Sequence, residues 1–172
     1  MSFSIEKARP EDAAALIDYL RVVGGESDNL TFGAEGLPAT VEEETAFLEK
    51  SAADTRSVIL LAKEDGEIIG DGHIEAFSRR LSHRAGLGIT VRKAAWGRGV
   101  GTAIMERLIA HAWEQGIEII ELQVRSDNAR AIRLYEKFGF VKIGHYPGFL
   151  KVDRVYADCD LMNLYRNDQE GI

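Results

Sequence analysis

The stretch from Ala85 to Gly116, AGLGITVRKAAWGRGVGTAIMERLIAHAWEQG, constrains the fold more than any other part of the chain. It reads as a strand, a glycine-rich turn and a helix. Leu87, Ile89 and Val91 alternate with Gly88 and Thr90, the period of a strand. Trp96-Gly97-Arg98-Gly99-Val100-Gly101 forms the turn. Val100, Ile104, Leu108 and Ala112 then recur at four-residue spacing, with Met105, Ile109 and Trp113 in a second row beside them. Two adjacent rows make a wide apolar stripe, suited to a helix lying on a sheet. Gly116 is placed to stop that helix at its C′ position.

A turn of this composition suits an anion. Amides in the first turn of a helix have no intrahelical acceptor, and the macrodipole adds partial positive charge there. Glycines allow close approach to the backbone, so a phosphate or pyrophosphate is the natural guest. Without a ligand, the same residues would serve as a tight strand-to-helix connection. Two phosphate motifs are absent. A Walker A loop needs Gly-Lys-Ser/Thr, and the turn has no lysine. A dinucleotide fingerprint needs a third glycine where Thr102 or Ile104 stands, and it belongs in a first βαβ unit rather than mid-chain.

Composition narrows the remaining classes. With 172 residues, the expectation is one domain, 1–172, with a real core. A net charge of −7 argues against a general nucleic-acid binder. It fits a cationic substrate without selecting one. Cys159 is the single cysteine, so neither an intrachain disulfide nor a cysteine metal cluster is expected, and no metal site is expected at all. The start, MSFSIEKARPED, is charged too early for a secretory signal, and no stretch approaches the ~20 apolar residues of a membrane span. The expected location is the cytoplasm.

The other elements follow from local signals. Phe3 to Ala8 reads as a strand. Pro10 opens a helix, with Glu11 and Asp12 at its positive end, Ala13, Leu16, Ile17 and Leu20 on its apolar face, and Gly24-Gly25 as its stop. The irregular stretch ESDNLTFGAEGLPA is either a solvated connector or a substrate-facing loop. Thr40 with Glu43 is a capping box for a second helix, with Phe47 and Leu48 facing inward and Glu42, Glu43 and Glu44 as a charged first turn. Ser57 to Lys63 is a buried strand, Asp65-Gly66 a hairpin turn, and Ile68 to Phe77 the return strand, with His73, Glu75 and Phe77 on one face. After Gly116, Ile117 to Val124 is a strand parallel to the central one. Asp127 or Asn128 caps a helix to Phe138 that carries Ala131 and Tyr135, and Gly139 stops it. Phe140 begins another strand, Pro147-Gly148 marks a turn, and Val155 to Tyr165 is the last strand. The fold class expected is mixed α/β, a twisted sheet antiparallel at first and parallel at its centre, flanked by helices.

Three segments in this order resemble the GNAT superfamily of acyl-CoA-dependent N-acetyltransferases. Val91 to Gly101 is similar to that family's strand, spacer and Q/R-x-x-G-x-G/A loop. Asn128-Ala-Arg-Ala-Ile-Arg-Leu-Tyr135-Glu-Lys-Phe-Gly-Phe140 resembles its N-x-x-A-I-x-L-Y-x-x-x-G-F helix. Tyr156-Ala-Asp158-Cys-Asp-Leu-Met162, with His83 and Arg84 before the central strand, resembles a bacterial branch that acetylates amino acids and similar small amines. The resemblance covers roughly residues 57 to 165. One position departs: Trp96 stands where the family usually has Gln or Arg, which removes a side-chain donor to the pyrophosphate. Arg98 or Arg92 is then the expected source of charge.

The resemblance implies roles. Acetyl-CoA would lie between the central strand and the next one, which splay apart. Ile89 and Val91 would pair with its pantetheine. The amides of Gly97, Arg98, Gly99, Val100, Gly101 and Thr102 would take its diphosphate. Asn128 would hold pantetheine or cap its helix. An amide of the central strand would polarise the thioester carbonyl. Tyr135 matches the residue that protonates the departing thiolate, whose thiol has a pKa of about 8.5 in the free state. Tyr135 would alternatively be an ordinary core tyrosine. The base for the attacking amine is sought among Glu75, His73, His83 and Glu35, with Glu75 the site residue selected, and Asp158 is a candidate for substrate binding. The function expected is transfer of acetyl to the primary amine of a small molecule by direct attack, in a homodimer with no nucleic-acid or membrane partner. A catalytically silent acyl-CoA sensor and a protein lysine or N-terminal acetyltransferase are the competing readings.

Overall fold

The computed structural model describes residues 2–167. Strands β1 (Ser4–Lys7), β2 (Val58–Glu64), β3 (Glu67–Ala76), β4 (Arg84–Val91), β5 (Ile119–Arg125), β6 (Val141–Val152) and β7 (Val155–Tyr165) form one sheet in the order β1-β2-β3-β4-β5-β7-β6. Every neighbouring pair is antiparallel except β4 and β5. That parallel pair is short: Arg84, Ala85 and Gly86 meet Ile119, Ile120 and Glu121, and past Gly86 the strands separate. An ion pair between Arg84 and Glu121 closes its joined end.

Helix α3 (Val100–Glu114) covers one face of the sheet. Its row of Val100, Ile104, Leu108 and Ala112, with Met105 beside it, is fully buried, as the periodicity demands. Each of the large aliphatic members contributes roughly 1.5–3 kcal/mol by leaving water. Gly116 ends the run at φ 75°, with its N–H on the Trp113 carbonyl. Helix α4 (Ala129–Lys137) shares this face and packs Tyr135 into the same core. The opposite face carries α1 (Ala13–Glu26) and α2 (Val41–Ala53), packed on Leu61 and Ile68.

Several local expectations are corrected. Pro10, Glu11 and Asp12 form a 3-10 turn ahead of α1. Gly24 and Gly25 do not end α1, which continues to Glu26. Gly24 is there because the chain returns against it: a Cβ at that position would stand 2.1 Å from the Gly33 carbonyl oxygen. In α2 the capping box of Thr40 and Glu43 forms in both directions, but Glu44 and Leu48 make the inward row. Phe47 is turned outward and is 55% exposed, while Glu44 is buried at 6%, so it is not part of a solvated first turn. Pro147-Gly148 is a bulge inside β6, where the register passes from Tyr146–Cys159 to Leu150–Ala157. The actual reversal is Asp153-Arg154, both at positive φ, as a two-residue hairpin turn requires.

Candidate functional site

The separation of β4 from β5 opens a cleft of about 1180 Å³. One end is the turn after β4. Gly99 caps α3 in the left-handed region at φ 82°, a conformation in which a side chain is strained. The first backbone bond back to the turn is Ala103 N to the Gly99 carbonyl, so the amides of Val100, Gly101 and Thr102 precede the helical ladder and have no acceptor in it. A Cβ at Gly97 or Gly99 would meet nothing within 4 Å, so the cradle is open to a ligand. Gly97, Gly99, Val100, Gly101 and Thr102 all border the cleft.

Arg98 is turned away. Its guanidinium pairs with Glu64, with Nη1 to Oε2 at 3.1 Å, and it does not border the cleft. Arg92 is likewise engaged, with Nε 3.1 Å from Glu26 Oε1. Neither takes the place of the missing loop donor. Trp96 gives its indole N–H to the Val91 carbonyl at 2.8 Å and presents its ring to Arg130, whose guanidinium lies 4.4 Å above it. Thus α4 brings a cation to the turn that the chain order did not reveal.

The side chains of Ile89 and Val91 pack on the α3 side of β4, and both residues border the cleft on the strand's unpaired side. Asn128 also borders it and caps α4, its Oδ1 accepting from Ala131 N at 3.2 Å. Tyr135 reaches the cleft from α4. It is 7% exposed, and its ring centroid stands 5.8 Å from that of Phe140. Burial pushes its phenol up to about 12, and among the described residues none hydrogen-bonds its hydroxyl. It is therefore a protonated donor with its proton uncommitted.

On the α1–α2 side of the sheet, Asp71, His73 and Glu75 form a row on β3 facing Thr90, Gly88 and Gly86 of β4. All three border the cleft, and the His73 ring fills the space that a side chain at Gly88 would take. Asp71 is buried and accepts from Thr90 Oγ1 at 3.0 Å; Thr90 in turn meets the Tyr19 hydroxyl at 2.8 Å. Burial raises the carboxyl of Asp71 above its usual value and also raises the Tyr19 phenol. Glu44 reaches the same cleft from α2, raised first by burial and then by the charge of Asp71. Extending the alternation of His73 and Glu75 back by one step would have found Asp71. Glu44, Tyr19 and Arg130 carried no signal beyond ordinary helix positions.

Three sequence candidates lie outside the cleft. Glu35 accepts from Gly33 N at 2.8 Å, which lowers its carboxyl. The His83 carbonyl accepts the amides of Glu118 and Ile119. Asp158 accepts from Gly148 N at 2.8 Å and meets His145 Nε2 at 3.0 Å. The loop from Ser27 to Thr40 does face the cleft, through Leu30, Phe32 and Leu37. Among the described residues, no His, Cys, Asp and Glu cluster could hold a metal, and no helix is long and apolar enough to cross a membrane.

An arrangement with open amides at one end, an unpaired strand edge along its length and a neutral phenol inside fits an extended ligand carrying phosphate at one end. The Acetyltransferase (GNAT) family model matches residues 26–140. The Escherichia coli L-amino acid N-acetyltransferase AaaT is 40% identical over 106 residues, which is 60% of this chain and 65% of that one. A match to the mycothiol acetyltransferase of Paenarthrobacter aurescens spans only 28% of that protein, at 32% identity over 52% of this chain. The L-methionine sulfoximine/L-methionine sulfone acetyltransferase of Pseudomonas aeruginosa is 25% identical over 95% of each chain. An acetyltransferase of the GNAT family from Streptococcus pneumoniae superposes with a TM-score of 0.92 at 32% identity, covering 96% of this chain and 100% of that one. The fold is also that of yncA from Salmonella typhimurium, solved with its cofactor acetyl-CoA (TM-score 0.85, 19% identity, 100% of this chain and 98% of that one).

Proposed function

The chain belongs to the GNAT family of acetyltransferases, and from that premise we propose that it transfers acetyl from acetyl-CoA to the primary amine of a small molecule, an amino acid or a related amine. The observation that carries this reading is the cleft itself. It joins the open amides after Gly99, the unpaired side of β4 and the uncommitted Tyr135 hydroxyl.

Gly97, Gly99, Val100, Gly101 and Thr102 hold the diphosphate through backbone amides, with Arg130 adding positive charge at the rim. Ile89 and Val91 align the pantetheine along the strand edge, and an amide of β4 polarises the acyl carbonyl. Acetyl-CoA supplies an acyl carbon already activated as a thioester. The neutral amine attacks that carbon, so a C–N bond forms and the C–S bond breaks. Glu75 and His73 receive the amine's proton from the α1–α2 side. Tyr135 gives its proton to the departing sulfur, and a phenol held at about 12 remains protonated for that step at neutral pH. General-acid assistance of this kind is worth roughly 10²–10⁴-fold.

A homodimer, implied by the resemblance, is part of this proposal. Val141, Ile143 and Tyr146 on edge strand β6 are exposed and would meet the second copy. Light scattering tests it. The activity is tested by thiol release from acetyl-CoA across a panel of amines. Turnover on small amines supports the enzyme. Thermal stabilisation by acetyl-CoA without turnover on any amine would favour a sensor, and turnover confined to peptides would favour a protein acetyltransferase.

A further inference from the structure

The substrate end of the cleft holds a charge imbalance that identifies its guest. Most acids of the surrounding framework have partners: Glu26 holds Arg92 and the amide of Lys93, Glu64 holds Arg98, and Glu121 holds Arg84. Glu44 differs. It is 6% exposed, it borders the cleft, and among the described residues no side-chain donor bonds its carboxylate. Its electrostatic neighbour is another acid, Asp71, which is 9% exposed and held by the neutral hydroxyl of Thr90. His73 is the basic side chain that acts on Asp71. The other cations near the cleft are committed or remote. Arg125 binds Asp127 and the Asp28 carbonyl, Arg130 lies on Trp96, and Lys50 is exposed at the rim. Burying carboxylates without a cation costs several kcal/mol, and a cation from outside repays it through charge-assisted hydrogen bonds.

We propose that the acceptor carries a second positive group beyond its reacting nitrogen, an ammonium or guanidinium that Glu44 and Asp71 receive, so that the preferred substrates are dicationic amines. This rests on the acetyltransferase reading for the site's purpose, but the binding of a dication does not depend on turnover. The reacting nitrogen lies toward His73 and Glu75, which border the cleft from β3, and the distal cation enters the carboxylate pocket under α2. Monoamines, whose one nitrogen is the reacting group, leave the pocket unanswered, and acidic amines are repelled by it.

The test pairs 1,4-diaminobutane and 1,5-diaminopentane with n-butylamine and n-pentylamine, measuring both kcat/KM and calorimetric binding to the CoA-saturated protein. The diamines are expected to exceed monoamines of equal length by roughly tenfold or more in kcat/KM and to bind where the monoamines do not. In Glu44→Gln and Asp71→Asn that ratio falls toward one, and Glu44→Asp recovers part of it. Acetyl-CoA titration, which reads the distant glycine turn, confirms that each variant is folded. Equal kcat/KM for diamine and monoamine in the unaltered protein, or a ratio that survives in both Glu44→Gln and Asp71→Asn, overturns the proposal while leaving the acetyltransferase intact. Diamine binding that is lost in Glu44→Gln, with no amine acetylated, supports the pocket and overturns the acetyltransferase instead.

Discussion

The imidazole of His73 lies across the α-carbon of Gly88: a β-carbon built there would stand 2.3 Å from His73 Cε1. The two residues face each other across β3 and β4, beside the gap where β4 leaves β5. Because the clashing atom belongs to a side chain, Gly88→Ala should move the ring rather than the backbone. The expected result is a fall in kcat/KM of roughly 10–100-fold, the loss of a misplaced proton acceptor, with a melting temperature close to that of the parent. Unchanged kinetics would remove the placement of His73 from the mechanism.

Tyr135→Phe deletes a hydroxyl that has no hydrogen-bond partner among the described residues, and it keeps the ring that packs near Phe140. Stability should hold or rise slightly, since no bond is lost and a buried polar group is removed. Turnover should fall by roughly 10²–10⁴-fold while acetyl-CoA affinity is little changed. Steady-state kinetics with calorimetry separates these. Full kcat in this variant would assign Tyr135 to packing alone.

Gly24→Ala sets two effects against each other. Helix propensity favours alanine by about 1 kcal/mol. The added carbon would sit 2.1 Å from the Gly33 carbonyl oxygen, a backbone atom with no rotamer to change. Overpacking of this kind costs about 1–3 kcal/mol, so the clash wins. The melting temperature should drop, at roughly 2–4 °C per kcal/mol for a chain of this size. The displaced stretch is the loop that brings Leu30, Phe32 and Leu37 to the cleft, so KM for the amine should rise more than KM for acetyl-CoA.

The β6–β7 hairpin should be pH-sensitive on both sides. Hydrogen bonds from His145, Lys142 and Ser126 hold Asp160 at about 2, below its usual 3.8. The stabilisation from Asp160 is complete above the unfolded value and is lost as the pH falls through about 2. Bonds to Asp160 and Asp158 raise His145 above its usual 6.5. Its stabilisation is complete below the unfolded value and is lost as the pH rises through the raised one. Asp160→Asn should bring the His145 titration, followed by NMR, back toward 6.5 and flatten the acid limb of a melting-temperature profile. A His145 titration unmoved by that change would sink the assignment.

How much of this was legible in the sequence depends on whether the signal was local. The α3 stripe, the Thr40 box, Asp65-Gly66 and Gly116 are each written within a turn or two of chain, and each formed where expected. Gly24 and Pro147-Gly148 were misread because their meaning lies in a distant segment: the Gly33 carbonyl for one, the Asp158 carboxylate that takes the Gly148 amide for the other. The same limit applies to the site. Its cradle and Tyr135 sit in contiguous motifs, whereas Glu44, Asp71 and Arg130 come from three separate elements that only the assembled sheet brings to one cleft. The guanidinium of Arg98 pairs with Glu64, at the end of a neighbouring hairpin, a partner that its own loop sequence does not announce.

The brevity of the β4–β5 pairing has an outcome for the molecule as a whole. The two halves of the sheet are welded at three residue pairs and part company after Gly86. A ligand laid along Ile89 and Val91 would act as mortar in that seam, adding its own affinity to the cohesion of the protein: about 2.7 kcal/mol when present at a hundred times its Kd. Stripped of its cofactor, the protein should be softest along its middle, and amide exchange there should slow most when acetyl-CoA is supplied.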